Sequence, residues 1–257
     1  MRNVFTICGK ELKAYFSSPI AYLLMALFGL IFGFFFYSAT AYFVMAGMRA
    51  DMMGGGQTQP MSVNEYVIAP LLGNASVVGL FLIPLISMRL FAEEKRTGTI
   101  ELLLTSPVRD WEIILGKWLG AMAMYLCILA ISAVNVALLF AWGQPDWRPV
   151  LTGYLGLILQ GGTVLAIGTF ISTLTRNQII AGAATFAICL LLWVLSWVSS
   201  YNEAPWAQAV AYASILTHFE PFSKGIIDTK DLVFYVTAIF VGLFLTSRSL
   251  ESLRWRA

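Results

Sequence analysis

The sequence predicts an all-α integral membrane protein with six transmembrane helices, and three observations predict it. Hydrophobic residues make up 59% of the chain and charged residues 12%, about half the charged share of an ordinary soluble domain. Runs free of Lys, Arg, Asp and Glu occur six times, and a spanning helix needs about 20 predominantly apolar residues. Twelve of the sixteen basic residues then fall on one side of those runs, the asymmetry that marks the cytoplasmic face.

Trimmed to their apolar parts, the spans are expected near residues 20–44, 69–90, 114–141, 152–174, 179–200 and 231–247, within one membrane domain over residues 1–257. Arg2, Lys10 and Lys13 precede the first span. Arg89, Lys95, Arg96, Arg109 and Lys117 fall between the second and third, Arg176 between the fourth and fifth, and Arg248, Arg254 and Arg256 after the sixth. This places both termini and the loop around Glu93 in the cytoplasm. The first apolar run is too long for a signal-peptide core and follows patterned sequence, so it is expected to stay as an anchor. Cys8, Cys127 and Cys189 suggest ordinary apolar packing and no disulfide framework.

Residues 1–18 read as an N-terminal interfacial helix. Asn3, Thr6, Lys10, Lys13 and Ser17 recur at steps of three and four, with Val4, Phe5, Cys8, Leu12, Tyr15 and Phe16 turned the other way. Ser17-Ser18-Pro19 breaks that helix and starts the next. Residues 45–65, with Gly54-Gly55-Gly56 and Pro60, read as an external linker. No Gly-Lys-Ser/Thr follows the glycines, so they are not a phosphate loop.

The cytoplasmic connector, residues 91–112, is the most informative stretch. Thr97 and Thr99 can cap a short helix, Gly98 permits the turn into it, and Glu101 suits its positive end. Ile100, Leu103 and Leu104 share one face of that coupling helix, flanked by Glu93, Glu94, Lys95 and Arg96. Ser106 is an expected N-cap and Pro107 an expected first helical residue for the span that follows. An apolar ridge on a short cytoplasmic helix must be buried against something, and a soluble subunit is the expected cover.

Residues 203–228 are too apolar for a solvated loop and too short to span, so they read as short external re-entrant helices. Trp193, Trp197, Tyr201, Trp206, Tyr212, Phe219 and Phe222 are expected to form an aromatic belt there.

Span interiors hold no ionisable side chain by this reading, which weakens an ion-coupled mechanism. Asn74, Asn135 and Gln160 are expected to hydrogen-bond neighbouring helices. The chain has no Gly-x-x-x-x-Gly-Lys-Ser/Thr, so ATP must be handled by a partner. The single histidine, His218, cannot make a metalloprotease motif and reads as a satisfied interfacial residue. No Gly-x-Ser-x-Gly nucleophile elbow occurs. No catalytic, metal or cofactor-binding residue is expected, and no nucleic-acid partner.

The run Phe91-Ala-Glu-Glu-Lys-Arg-Thr-Gly-Thr-Ile-Glu-Leu-Leu-Leu-Thr-Ser-Pro107, continued by Trp111-Glu-Ile-Ile-Leu-Gly-Lys-Trp118, resembles the cytoplasmic coupling segment of ABC-2 type transporter permeases. Lys10-Glu-Leu-Lys-Ala-Tyr-Phe-Ser-Ser-Pro-Ile-Ala-Tyr22 and Leu216-Thr-His-Phe-Glu-Pro-Phe-Ser-Lys-Gly-Ile-Ile-Asp-Thr-Lys-Asp-Leu232 resemble its gliding-motility-type branch. The resemblance covers essentially the whole chain. It implies a permease subunit of an inner-membrane ATP-binding cassette transporter, working as a homodimer or pseudodimer above two cytoplasmic ATPase subunits that bind ATP and magnesium. It implies a docking role for Glu93, Glu94, Lys95, Arg96, Gly98, Thr99, Ile100, Glu101, Leu103, Leu104 and Pro107, with a second contact at Arg176. The first and fifth spans would lie near the dimer interface, where Gly29, Gly33 and Gly182 permit close approach. An envelope accessory protein and membrane lipid complete the expected partners. The competing expectations are a non-transporting scaffold that anchors an ATPase or envelope complex and, third, a stand-alone membrane enzyme.

Overall fold

The computed structural model describes residues 2–52, 62–105, 107–142, 145–201 and 204–254. The glycine triplet, Pro60, Ser106 and Arg256 lie outside the described residues, as do the side chains of Leu104 and Tyr201. Among the described residues the chain is helical, without a strand. Six of its helical stretches are long and apolar enough to cross a membrane, as the charge-free runs predict.

The first helix, α1 (Arg2–Phe16), ends at the Ser17-Ser18 turn, and α2 starts at Pro19 and runs to Met52. At about 1.5 Å per residue α2 is roughly 50 Å long, so it continues through residues that read as external linker. A π-helical turn, Asn64–Ile68, leads into α3 (Ala69–Ser87). The connector then folds into two short helices, α4 (Ala92–Thr97) and α5 (Ile100–Thr105), before α6 (Asp110–Trp142). Next come α7 (Trp147–Ser172), α8 (Gln178–Tyr201), the short α9 (Pro205–Ala211) and α10 (Ile215–Ser223), and finally α11 (Thr229–Arg254).

Local chemistry sets these boundaries. Asp146 caps α7 by accepting from the Arg148 amide at 3.1 Å, and Asn177 accepts from the Ile179 amide at 2.9 Å where α8 begins, both satisfying orphan first-turn donors. Gly98 ends α4 at φ 75°, a left-handed residue that costs glycine nothing. Pro107 is not the first residue of α6. It sits in a bend before it, and Glu112 caps the start by accepting from the Arg109 amide at 3.3 Å.

The core is a pair, α3 and α7, stitched at three levels. Leu72 lies over Gly153, and a Cβ there would come within 2.4 Å of its Cδ1. Ser76 donates to Gln160 Oε1 at 2.6 Å, and Gln160 Nε2 returns a bond to the Ser76 carbonyl at 3.2 Å. Gly168 meets Ser87, whose Oγ would lie 2.0 Å from an added Cβ. Glycines here let two backbones approach as close as membrane packing allows. Of the three polar span residues singled out in the sequence, Gln160 thus makes the expected interhelical bonds.

The two ends of the bundle are clipped separately. At the end away from α1, Asn64 donates to the Asp146 carbonyl at 2.8 Å and accepts from the Asp146 amide at 2.9 Å. Thr152 of α7 donates to the Phe222 carbonyl at 3.1 Å, fixing α10. Phe219 and Phe222 are buried against Gly156 and so belong to the core rather than to a belt. Trp197, Trp206 and Tyr212 are exposed and fit the belt expectation.

Candidate functional site

At the α1 end, the connector is built onto a buried charge cluster. Val4, Ile7, Cys8, Glu11 and Tyr15 recur on one face of α1, and that face lies on the first turns of α6. Gly116 and Gly120 of α6, four apart, make the contact. A Cβ at Gly116 would fall 2.7 Å from the Ile7 Cβ, and one at Gly120 the same distance from the Glu11 Cβ. Phe5, read as part of the apolar face, is instead exposed.

Between those glycines Lys117 points inward and is 2% exposed. Its ammonium bonds Glu11 Oε1 at 2.6 Å and Glu94 Oε1 at 2.8 Å, and stands 5.3 Å from the centre of the Phe91 ring. One lysine therefore ties α1, α4 and α6 together. Two carboxylates share that single cation, and Glu94 Oε2 is buried without a hydrogen bond among the described residues. The Glu11 carboxylate also acts on its own helix. Burial first and Glu11 second push the Cys8 thiol and the Tyr15 phenol above their ordinary values.

Beside the cluster, Tyr15 donates to the Ile86 carbonyl at 2.8 Å, and Arg89 stacks on its ring at 4.8 Å while pairing with Glu93 at 3.2 Å. Asn3 donates to Glu112 at 3.1 Å. The connector is bonded to α7 as well. The Phe91 amide donates to Ser172 Oγ at 3.2 Å, the Lys95 ammonium donates to the Thr173 carbonyl, and Thr173 donates to Ser249 of α11 at 2.7 Å. The charge of Arg176 acts on Lys95. The connector and the turn that holds Arg176 thus lie side by side.

Individual site residues fall into two groups. Arg96, Gly98, Thr99, Glu101, Pro107 and Arg176 are exposed, and Glu93 is partly so. Ile100 and Leu103 are half-buried against the chain's own core, so the expected docking ridge is turned inward at those two positions. Leu102, on the opposite side of α5, is 72% exposed and went unnoticed because it follows no apolar period. Glu94 is drawn into the cluster rather than solvated. Thr97 does not cap α5. Its hydroxyl donates back to the Glu93 carbonyl at 3.0 Å and contacts the Thr99 hydroxyl at 2.9 Å.

Two of the three expected interface glycines serve contacts within the chain. An added Cβ at Gly29 would lie 3.2 Å from Ile131 of α6, and one at Gly182 would lie 3.3 Å from Met88. At Gly33 it would meet nothing within 4 Å, leaving that position open.

The chain is similar in sequence to several bacterial permeases. The probable multidrug ABC transporter permease YbhR of Escherichia coli (strain K12) is 25% identical over 166 residues, 63% of this chain and 43% of that protein. The inner membrane transport permease YhhJ of the same strain is 27% identical over 139 residues, 52% of this chain and 36% of its own length. The probable multidrug ABC transporter permease YbhS, also of that strain, is 30% identical over 124 residues, 46% of this chain and 30% of its own. The chain thus spans less than half the length of the curated relatives it matches. The profile of the ABC-2 family transporter proteins matches residues 5–247, nearly the whole chain. Six membrane-crossing helices with a folded connector after the second are therefore those of a family member: this multi-pass membrane protein belongs to the ABC-2 family of transporter proteins.

Proposed function

We propose that the chain is the membrane-spanning permease subunit of an ATP-binding cassette transporter, driven by a separate cytoplasmic ATPase that holds ATP and magnesium. The carrying observation is the joined surface of α4, α5 and the Arg176 turn. It exposes Leu102, Arg96, Glu101 and Arg176, while its root is bonded to α6, α7 and, through Thr173, α11. A partner gripping Leu102 would act on spanning helices through bonds already in place. This reading puts both termini in the cytoplasm of an inner-membrane protein, and the names of the relatives, multidrug transporter and transport permeases, support transport. The homodimer would form along α2, where Gly33 offers open space, and the gliding-motility-type motifs favour a role that includes mechanical work in the envelope.

Leu102→Asp tests the docking surface. An exposed apolar anchor seated in a partner's pocket contributes about 2 kcal/mol, roughly thirtyfold in affinity. The substituted permease should keep its unfolding midpoint and lose the copurifying ATPase and its stimulated hydrolysis. Copurification at the wild-type level would defeat the assignment. Leu103→Asp, by contrast, should lower the unfolding midpoint, because Leu103 leans on the chain's own core.

A further inference from the structure

The end away from α1 holds a second buried polar contact, between a histidine and an aspartate, unconnected with the connector surface. His218 of α10 is 2% exposed and Asp231 of α11 is 1% exposed. His218 Nδ1 lies 2.6 Å from Asp231 Oδ1, and Nε2 lies 2.8 Å from the carbonyl oxygen of Tyr212, the residue that ends α9. The ring stacks on Phe234 at 3.9 Å and takes the edge of Tyr212 at 4.7 Å.

Both ring nitrogens therefore face acceptors. A carbonyl oxygen can only accept, so Nε2 must carry a proton. An ionised carboxylate can only accept, so Nδ1 must carry one too. A neutral imidazole has one N–H and cannot meet both demands. With Asp231 ionised, the extra proton rests on the ring.

We infer that His218 and Asp231 form a buried one-proton site, an imidazolium–carboxylate pair that latches α9 and α10 onto the start of α11 and releases them when the proton leaves. Removing that proton leaves one N–H for two acceptors. The surviving bond goes to the charged carboxylate, and a bare nitrogen then faces the Tyr212 carbonyl. That contact breaks, and the pair is left with an uncompensated negative charge, which burial disfavours.

Among the described residues, the surrounding groups do not supply a substitute proton. On α10 itself, Glu220 and Lys224 pair with each other at 2.6 Å and are exposed, with Glu65 of the π-helical turn acting on Lys224. On α11, Lys230 pairs with Asp228 at 3.0 Å, which pulls the Asp228 carboxyl below its ordinary value. The Tyr235 hydroxyl donates to the Ile215 carbonyl at 2.8 Å. The face of α7 against α10 presents Thr152, Gly153 and Gly156. Tyr212, half exposed, sets its ring edge-on to the imidazole.

His218 is the sole histidine, so tag-free full-length permease labelled with ¹⁵N-histidine reports this site alone. In lipid nanodiscs near neutral pH, nitrogen NMR should show two protonated ring nitrogens. As pH is raised, one should become a bare nitrogen. Hydrogen-exchange protection across residues 205–223, corrected for the intrinsic rate, should fall in parallel by about tenfold or more, the worth of a charged hydrogen bond. Asp231→Asn is the discriminating variant. The amide can donate to an unprotonated Nδ1 while Nε2–H still reaches Tyr212, so the latch should hold at every pH with a neutral ring. A bare nitrogen in the wild type at neutral pH would overturn the inference. So would protection that ignores pH in the wild type, or protection in Asp231→Asn that falls with pH as the wild type's does.

Discussion

Lys117→Met is expected to be the most damaging single substitution at the α1 end, lowering stability by about 3–5 kcal/mol, the usual cost of removing one partner from a buried ion pair. Methionine fills the stem's volume but supplies no donor. Glu11 and Glu94, held at 2.6 and 2.8 Å from the ammonium, would then face each other with nothing between them. Thermal unfolding in detergent, read by loss of monodisperse protein, measures the effect. Because the harm comes from stranded carboxylates rather than lost packing, the triple change Lys117→Met with Glu11→Gln and Glu94→Gln should recover most of it. Equal instability in the single and triple variants would show that the cluster is merely filling space.

Gly168→Ala is the second large effect. An added Cβ would fall 2.0 Å from the Ser87 Oγ and 2.5 Å from the Ser87 Cβ, and neither can retreat, since Ser87 is a fully buried helical residue. Overpacking of this kind costs about 1–3 kcal/mol. Moving the glycine to the other helix, Gly168→Ala with Ser87→Gly, removes both clashing atoms and should restore part of the loss. Full recovery is not expected, because glycine in a helix interior costs roughly 0.5–1 kcal/mol. A single variant with the wild-type unfolding midpoint would mean that α3 and α7 are not packed this closely.

The six crossing helices were legible because each leaves a long charge-free run, a local property. The helix start at Pro19 follows from residues within a turn of the boundary. What escaped was pairwise. Lys117 counted as one more loop cation, yet its partner Glu11 is 106 positions away, and no local pattern reveals that two charges will neutralise each other inside. Ile100 and Leu103 were correctly recognised as apolar and adjacent, but the sequence does not say which neighbour covers them. One signal was available: Gly116 and Gly120 open a helix face four residues apart, the spacing of Ile7 and Glu11 that rest on them. Gly29 and Gly182 show the opposite error, since small residues mark a close approach without naming what approaches.

The α3–α7 stitching constrains how this protein can change shape. Bonds or interlocked side chains at Leu72, Ser76 and Ser87 pin the pair near both ends and in between, so the two behave as a mast rather than as independent rods. Of the six crossing helices, α2, α8 and α11 are the least buried, the stays around it. Spin labels placed on α3 and α7 should keep one separation throughout a working cycle, while labels on α2 or α8 change their distance to the mast. A varying α3–α7 distance would show that the mast itself yields.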